Sequence, residues 1–139
     1  MSETEVQVES FEELSRKAHA WREWYYSGEP KPRAGTEPVQ DVFEHINAVL
    51  FGHIYQREDK LDVRTRSLCT IAALVVLDRH RQLPGHITGA LNIGVSKEEI
   101  LELITQLLFY GGYPCTVNAL NAAIETFETY TPTTAPKPS

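Results

Sequence analysis

Apolar residues recur every three or four positions along this chain from Phe11 to Phe127, and no stretch of strand length alternates apolar with polar residues. A three-to-four-residue period is typical of a helix with one buried face. Short connections separate the periodic segments, and no segment repeats another. The pattern therefore predicts an all-α fold, a bundle-like domain of roughly six helices.

One domain accounts for the length of 139 residues. We expect a flexible N-terminal arm at residues 1–9 and a single helical domain at residues 10–130. Residues 131–139 are rich in Pro and Thr, which predicts a disordered tail.

Local patterns mark several helix ends. Ser10 and Ser96 each precede a glutamate by three residues, which is the capping-box pattern, and Asp62 is a favourable N-cap. The segment Leu68–Leu77 is apolar almost all round. A helix without a polar face is buried on all sides, so we expect this one at the centre of the domain or in a subunit interface.

The net charge, the N-terminal composition and the lengths of the apolar runs each exclude a class of function. The net charge is −6 and no basic run occurs, which argues against nucleic-acid binding. The N-terminus, MSETEVQVES, is acidic and polar and is not a signal peptide. No apolar run approaches the roughly 20 residues that a membrane span needs. We expect a cytoplasmic protein without a membrane partner.

The two cysteines, Cys69 and Cys115, lie far apart in apolar surroundings and form no CxxC pattern. We predict two buried thiols in a reducing compartment, with neither a dithiol redox site nor a zinc site. The histidines show no HxH or HExxH spacing, so no metal site is predicted.

Among the five histidines, His86 is the candidate general acid or base, because it follows Pro84-Gly85 at the start of a short helix and would be partly enclosed. The other four lie on predicted polar faces or connectors and are interpreted as solvated. They are His19, His45, His53 and His80.

Two further groups of polar residues are candidates. Arg64 and Arg66 stand in the first turn of a helix, where the macrodipole does not favour a cation, so a specific ionic partner such as an anionic substrate is favoured. Glu102, Gln106 and Tyr110 follow one another at intervals of four on one helix face. They form either a solvated edge or the lining of a pocket.

The first predicted helix is unusually aromatic. Trp21, Trp24, Tyr25 and Tyr26 fall within six positions. Large rings at helical spacing are usually core or interface, but they could equally wall a pocket for a flat substrate.

The segment from Arg64 to Phe127 closely resembles the carboxymuconolactone decarboxylase family, and the similarity extends over roughly residues 40–128. The matching features are RTRSL at 64–68, a His-containing element at 83–90, GVSKEEI at 94–100, Glu102 and YGGYP at 110–114.

This resemblance implies an all-α domain of the carboxymuconolactone decarboxylase and alkylhydroperoxidase-like type, assembled as trimers or hexamers with sites near subunit contacts. The hydroperoxidase branch carries a CxxC before the histidine that corresponds to His86. Arg79 and Gln82 occupy those positions here, so the chain resembles the decarboxylase branch, which uses no cofactor.

The resemblance implies a lyase that decarboxylates a keto acid or carboxylated lactone through an enolate, in aromatic-compound catabolism or natural-product biosynthesis. It makes Arg66, His86 and Glu102 the catalytic candidates. Arg66 would supply charge and His86 the proton, while Arg64 would bind substrate. Gln106 or Tyr110 would donate a hydrogen bond.

The first helix departs from the family pattern. Lactone decarboxylases carry a basic V-R-R-like stretch there, whereas this chain reads AWREWYYSGEPKPRAG. Arg22 stands in for one basic residue, and Trp21, Trp24 and Tyr25 become substrate-binding candidates. This composition favours a substrate that is larger, flatter and less charged than the lactone.

Two alternatives remain open. The same residues would serve an isomerase, cyclase or dehydratase that acts on a polyketide-like keto intermediate. The chain would otherwise be a non-catalytic helical oligomer that binds a small ligand.

Overall fold

The computed structural model describes residues 5–139, and within that range it contains helices and no strand. The predicted all-α fold is confirmed. Of the predicted N-terminal arm, residues 1–4 lie outside the described range and residues 5–9 are exposed without regular structure. The α-helices are α1 (Phe11–Tyr25), α2 (Gln40–Gly52), α3 (Val63–Val76), α4 (Leu83–Asn92), α5 (Lys97–Gln106), α6 (Leu108–Gly111) and α7 (Tyr113–Thr129).

Two short 3-10 turns flank α2, Glu37–Val39 before it and Ile54–Gln56 after it. None of the helices in the described range is long and apolar enough to cross a membrane.

The predicted capping residues begin their helices, but the capping box predicted at Ser10 is half formed, because the Glu13 side chain binds Arg16. The Ser10 hydroxyl accepts from the Glu13 amide at 3.2 Å, and Asp62 accepts from the Thr65 amide at 2.8 Å. Ser96 forms a complete reciprocal capping box with Glu99. Local side-chain chemistry therefore fixes the starts of α1, α3 and α5.

The chain between Ser96 and Gly111 forms two helices instead of the single one expected. At Leu107 the backbone tightens, because its amide donates to the carbonyl of Ile104 at 3.1 Å, three residues back. The short α6 follows and stops at Gly112, whose φ of 97° is in the left-handed region that suits glycine.

Two clusters of buried residues hold the fold together. The larger one joins α3, α4, α5 and α7 through side chains such as Ile71, Ile87, Ile104 and Ala123. The second is aromatic and lies between α1 and α2, and it consists of Ala18, Trp21, Trp24, Tyr25, Phe51, Tyr55 and Val63. The position of α1 relative to the rest is therefore set by aromatic packing.

The apolar segment Leu68–Leu77 was expected either at the centre of the domain or in a subunit interface. The first alternative is wrong, and the second stays a prediction. Ile71 and Val75 are fully buried, but Val76 is 39% and Leu77 60% exposed. The helix packs on α4, α5 and α7 from one side, so its outer apolar residues face outward.

The two cysteines differ. Cys115 is buried at the start of α7, and its thiol donates to the Gly112 carbonyl at 3.3 Å. Cys69 is exposed, because it lies on the outward side of α3. The prediction of two buried thiols is therefore confirmed for Cys115 and wrong for Cys69.

Residues 131–139 run without regular structure across the second cluster. The Tyr130 hydroxyl and the Thr133 amide both donate to Asn92 Oδ1, at 2.7 and 3.1 Å. Lys137 Nζ lies 5.7 Å from the ring centroid of Trp24. Disorder of this tail stays a prediction.

Candidate active site

His86 stands in the first turn of α4, directly after Pro84 and Gly85, and is partly buried. Its ring centroid is 6.1 Å from that of Tyr25 and 5.8 Å from that of Tyr26. Nδ1 is buried without a hydrogen-bond partner in the part of the chain that the structure describes. Burial lowers the pKa of His86 to about 4. The imidazole is therefore neutral at neutral pH.

The aromatic residues of α1 are mainly core. Trp21 stacks on Tyr25 at 4.3 Å and on Phe51 at 5.3 Å between centroids. Trp21, Trp24 and Tyr25 are 4%, 6% and 0% exposed. The sequence left open whether these rings pack in the core or wall a pocket, and this arrangement matches packing in the core. Their role as substrate ligands stays a prediction.

Tyr26 differs from its neighbours because it is partly buried and its ring meets both Phe51, at 6.0 Å, and His86. Burial raises the pKa of Tyr26 well above its usual value. The phenol therefore stays protonated and can donate a hydrogen bond.

The two arginines of α3 point to different partners. Arg64 forms an exposed ion pair with Glu99, which supplies the ionic partner expected for one of them. Arg66 donates from Nε to the Leu61 carbonyl at 3.0 Å and from Nη2 to the Arg57 carbonyl at 3.2 Å. Arg66 thus fastens the connector before α3.

Glu102, Gln106 and Tyr110 are all exposed. The break at Leu107 places Tyr110 on α6, so it does not continue the α5 row that Glu102 and Gln106 form. Within residues 5–139, no hydrogen bond joins these side chains to His86. A single subunit therefore presents them as a solvated edge.

A cavity lies outside the Arg64–Tyr110 segment that carries most sequence candidates. It has a volume of about 650 Å³ and is bounded by α1, α2 and the loop between them. This volume is within the range of small-molecule sites, roughly 300–1,000 Å³. Of the residues predicted from the sequence as site residues, Arg22 lines it.

A histidine bridges two carboxylates in the wall of this cavity. His19 Nδ1 lies 2.7 Å from Glu29 Oε1, and Nε2 lies 2.7 Å from Glu44 Oε1. Each nitrogen must carry a hydrogen to face a carboxylate, so the ring is an imidazolium. In agreement, the hydrogen bond to Glu29, helped by that to Glu44, raises the pKa of His19.

Arg22 continues this network. Its Nη1 donates to Glu29 Oε1 at 2.5 Å, and its Cζ lies 5.6 Å from the ring centroid of Phe51. The Nε of Arg22 is buried without a partner among the residues described. The guanidinium thus lines the cavity and binds a carboxylate there.

His19 is the site residue that the sequence interpretation missed. It is exposed, as predicted, but it contacts Glu29 and Glu44 instead of only solvent. Its spacing of three from Arg22 places both on one face of α1. That spacing was the available signal, although neither glutamate could be assigned to it without the tertiary fold.

Comparison with known proteins identifies the family of this chain. The model of the carboxymuconolactone decarboxylase family matches residues 40–125. This chain belongs to the carboxymuconolactone decarboxylase family.

Two relatives of this chain illustrate the similarity. The 4-carboxymuconolactone decarboxylase of Acinetobacter baylyi is 37% identical over 89 residues, which cover 64% of this chain and 66% of the relative. The chain thus spans about two thirds of the length of that relative. An uncharacterised 15.0 kDa protein of Paracoccus denitrificans is 40% identical over 93 residues, 66% of this chain and 69% of its own length.

The segment that the family model matches contains α2 to α6 and all but the last residues of α7. It therefore includes His86, Arg66 and Glu102. The helix α1 and the loop after it precede the matched segment. The cavity is therefore built partly from family elements and partly from residues outside the family match.

Proposed function

We propose that this family member is a cofactor-independent lyase that decarboxylates a keto acid or carboxylated lactone through an enolate. Two findings support the proposal, membership in the carboxymuconolactone decarboxylase family and the environment of His86. The environment of His86 is the observation that carries it. A neutral imidazole in an aromatic site, with Nδ1 unpaired, is suited to exchange one proton with a bound substrate.

The chemistry requires three things of the site. Breaking the bond to the carboxylate releases CO2 and leaves the electron pair on the substrate, delocalised into a carbonyl as an enolate. The site must hold the carboxylate, stabilise the enolate oxygen, and deliver a proton to carbon. In the net reaction, one carboxylate and one proton are converted into CO2 and a C–H bond.

His86 supplies that proton in the proposed mechanism. Desolvation keeps the imidazole neutral in the free protein. An anionic substrate beside it favours the imidazolium, because an opposite charge within a few ångströms raises the pKa of histidine. The proton taken up with the substrate is then transferred to the carbanion carbon, which returns His86 to its neutral form.

Arg22 and Tyr26 complete the proposed site within one subunit. The ring of Phe51 is next to both the Arg22 guanidinium, at 5.6 Å, and the Tyr26 ring, at 6.0 Å. Contacts through Phe51 and Tyr26 therefore link Arg22, which lines the cavity, to His86. Arg22 binds the substrate carboxylate and Tyr26 donates to the enolate oxygen.

The roles of Arg66 and Glu102 stay proposals. Arg66 orders the connector through the Leu61 and Arg57 carbonyls, so we propose that it positions the start of α3. Glu102 would reach a site only across a subunit contact, because it is exposed in one subunit. Gln106 and Tyr110 are also exposed and would likewise reach a site only across a subunit contact. Arg64 stays a proposed substrate ligand.

The aromatic composition of α1 supports a substrate with a flat, unsaturated body. The related Acinetobacter enzyme carries the name of 4-carboxymuconolactone decarboxylase, and we propose a keto acid or lactone of aromatic-compound catabolism or natural-product biosynthesis here. We also propose that the protein acts as a homo-oligomer, a trimer or hexamer, in the cytoplasm.

The decisive experiment measures CO2 release from a panel of β-keto acids and carboxylated lactones by purified, chelator-treated protein. His86→Ala should lower the rate at least 100-fold, the order of a lost general acid. The matched control is His53→Ala, because His53 is exposed on the connector. Full activity of His86→Ala would remove the assigned role. Product of unchanged mass would favour an isomerase or cyclase, and absence of any turnover would favour a non-catalytic ligand-binding oligomer.

A further inference from the structure

The cavity between α1 and α2 already contains a carboxylate. Glu29 Oε1 lies 2.7 Å from His19 Nδ1 and accepts from Arg22 Nη1 at 2.5 Å. An imidazolium and a guanidinium that meet at one oxygen form charge-assisted hydrogen bonds, the interaction that recognises carboxylates most strongly. The protein's own side chain therefore marks an anion-binding position.

We propose that this cavity binds organic anions with an apolar body, and that Glu29 is an internal placeholder that the ligand's carboxylate displaces from His19 and Arg22. This inference deepens the proposed function, and it rests on that function for the identification of the ligand as the substrate. The binding itself requires no turnover.

The charge of the cavity favours an anion. Four basic side chains line it, and only two acidic ones do, in a chain whose net charge is −6. The basic residues are His19, Arg22, Lys31 and Arg33. When Glu29 leaves, the excess of positive charge grows, and an incoming carboxylate restores the balance.

The two glutamates are held differently. Glu44 belongs to α2 and accepts from both Ser15 and His19. Glu29 belongs to the loop between α1 and α2, one residue after Gly28, whose φ of 118° is left-handed. Displacing Glu29 therefore moves a loop side chain and breaks no helix, while Glu44 stays in place against His19 Nε2.

A free carboxylate has an advantage over Glu29 because it is not tethered to the loop. It can take the position of Glu29 between Arg22 Nη1 and His19 Nδ1 and adjust both charge-assisted hydrogen bonds at once.

The rest of the wall fits an apolar body. Phe43, Pro30 and Pro32 line the cavity, and its volume of about 650 Å³ accommodates a molecule of two or three rings. The loop and α1 precede the segment that the family model matches, which begins at residue 40. This binding position is thus a feature of the present chain and does not follow from family membership.

Calorimetric titration of the full chain tests the inference with two non-reactive probes, 2-naphthoate and the uncharged 2-naphthalenemethanol. We expect 2-naphthoate to bind at least ten-fold more tightly, because only it has a carboxylate. Glu29→Gln should tighten 2-naphthoate binding roughly ten-fold, since the amide competes less well for His19 and Arg22. Glu12→Gln is the control, because it makes the same charge change on an exposed position of α1.

Arg22→Gln should weaken 2-naphthoate binding at least ten-fold. If that variant does not fold, the comparison of Glu29→Gln with Glu12→Gln decides alone. Equal affinity for both probes, or equal affinity of the Glu29→Gln and wild-type proteins for 2-naphthoate, would overturn the inference. Naphthoate binding without decarboxylation of any keto acid would support this site and count against the proposed function, so the two failures are distinguishable.

Discussion

The hydroxyl oxygens of Tyr25 and Ser67 lie 2.6 Å apart in the interior, where both residues are completely buried. This hydrogen bond joins α1, the aromatic helix that borders the cavity, to α3. The Tyr25 hydroxyl also lies 3.5 Å from the carbonyl of His86. A single phenol therefore connects α1 both to α3 and to the helix that carries the candidate acid.

Tyr25→Phe should destabilise the protein by about 1–3 kcal/mol, because the Ser67 hydroxyl is left buried without a partner. The free energy of unfolding in urea, monitored by tryptophan fluorescence, is the measurement that checks this. Ser67→Ala alone should also destabilise, while the double variant should cost less than the sum, since both ends of the bond are then absent. Strictly additive effects would show that the two hydroxyls do not stabilise one another.

Gly89→Ala should destabilise far more, by about 3 kcal/mol or more, because a β-carbon there would overlap the buried ring of Tyr25. The matched control is Gly94→Ala. Gly94 has a φ of 94° and open space around it, so the alanine meets only the backbone cost of about 1–2 kcal/mol. Thermal unfolding of both variants measures the difference, and equal losses would contradict the close packing of α1 on α4.

Much of the fold could be predicted from local signals. Caps such as Ser10, Asp62 and Ser96 act within one turn, so the sequence predicted them correctly. The burial of α3 could not be predicted in this way, because a helix that is apolar all round gives no indication of which side packs. Leu77 and Cys69 lie on the side of α3 that does not pack, and both are exposed.

The candidate site was predicted only in part. The enclosure of His86 followed from its position at the start of a short helix, after Pro84. The cluster of His19 with Glu29 and Glu44 joins residues 10 and 25 positions apart. Such a cluster depends on how α1 packs along α2, which periodicity does not specify.

His86 should make stability depend on pH in a defined window. Its pKa is lowered from 6.5 to about 4 in the folded protein. The unfolded state therefore binds the extra proton first, and folding stability falls as pH falls from about 6.5 to about 4. Each unit of pKa difference corresponds to about 1.4 kcal/mol, so the loss approaches 3 kcal/mol.

The comparison of wild type with His86→Gln isolates this contribution, since every other titrating group is common to both. The difference in unfolding free energy should shrink steadily below pH 6.5. His19 contributes with the opposite sign, because its raised pKa gives stability at low pH that is lost as pH rises through that pKa. A pH-independent difference between the two proteins would contradict the low pKa of His86.

The exposed apolar face of α2 should be where copies of the chain associate. Val42, Ile46 and Val49 are each about half exposed, at 53%, 51% and 53%. Ile46→Glu should lower the mass measured by sedimentation, because a charge buried in an apolar contact is costly. Val8→Glu is the control, on the exposed N-terminal arm. An unchanged mass for Ile46→Glu, or a monomeric wild-type protein, would exclude this face as the contact.

The pH dependence of turnover should identify the protonation state in which His86 acts. If the imidazolium delivers the proton, kcat/KM follows the protonated fraction of the free protein, whose His86 pKa is about 4. The value of kcat/KM should then fall about ten-fold for each pH unit above that pKa. The bound carboxylate raises the pKa, so kcat should stay constant to a higher pH. A kcat/KM that does not change between pH 5 and 8 would show that His86 does not donate the proton, because its protonated fraction falls throughout that range.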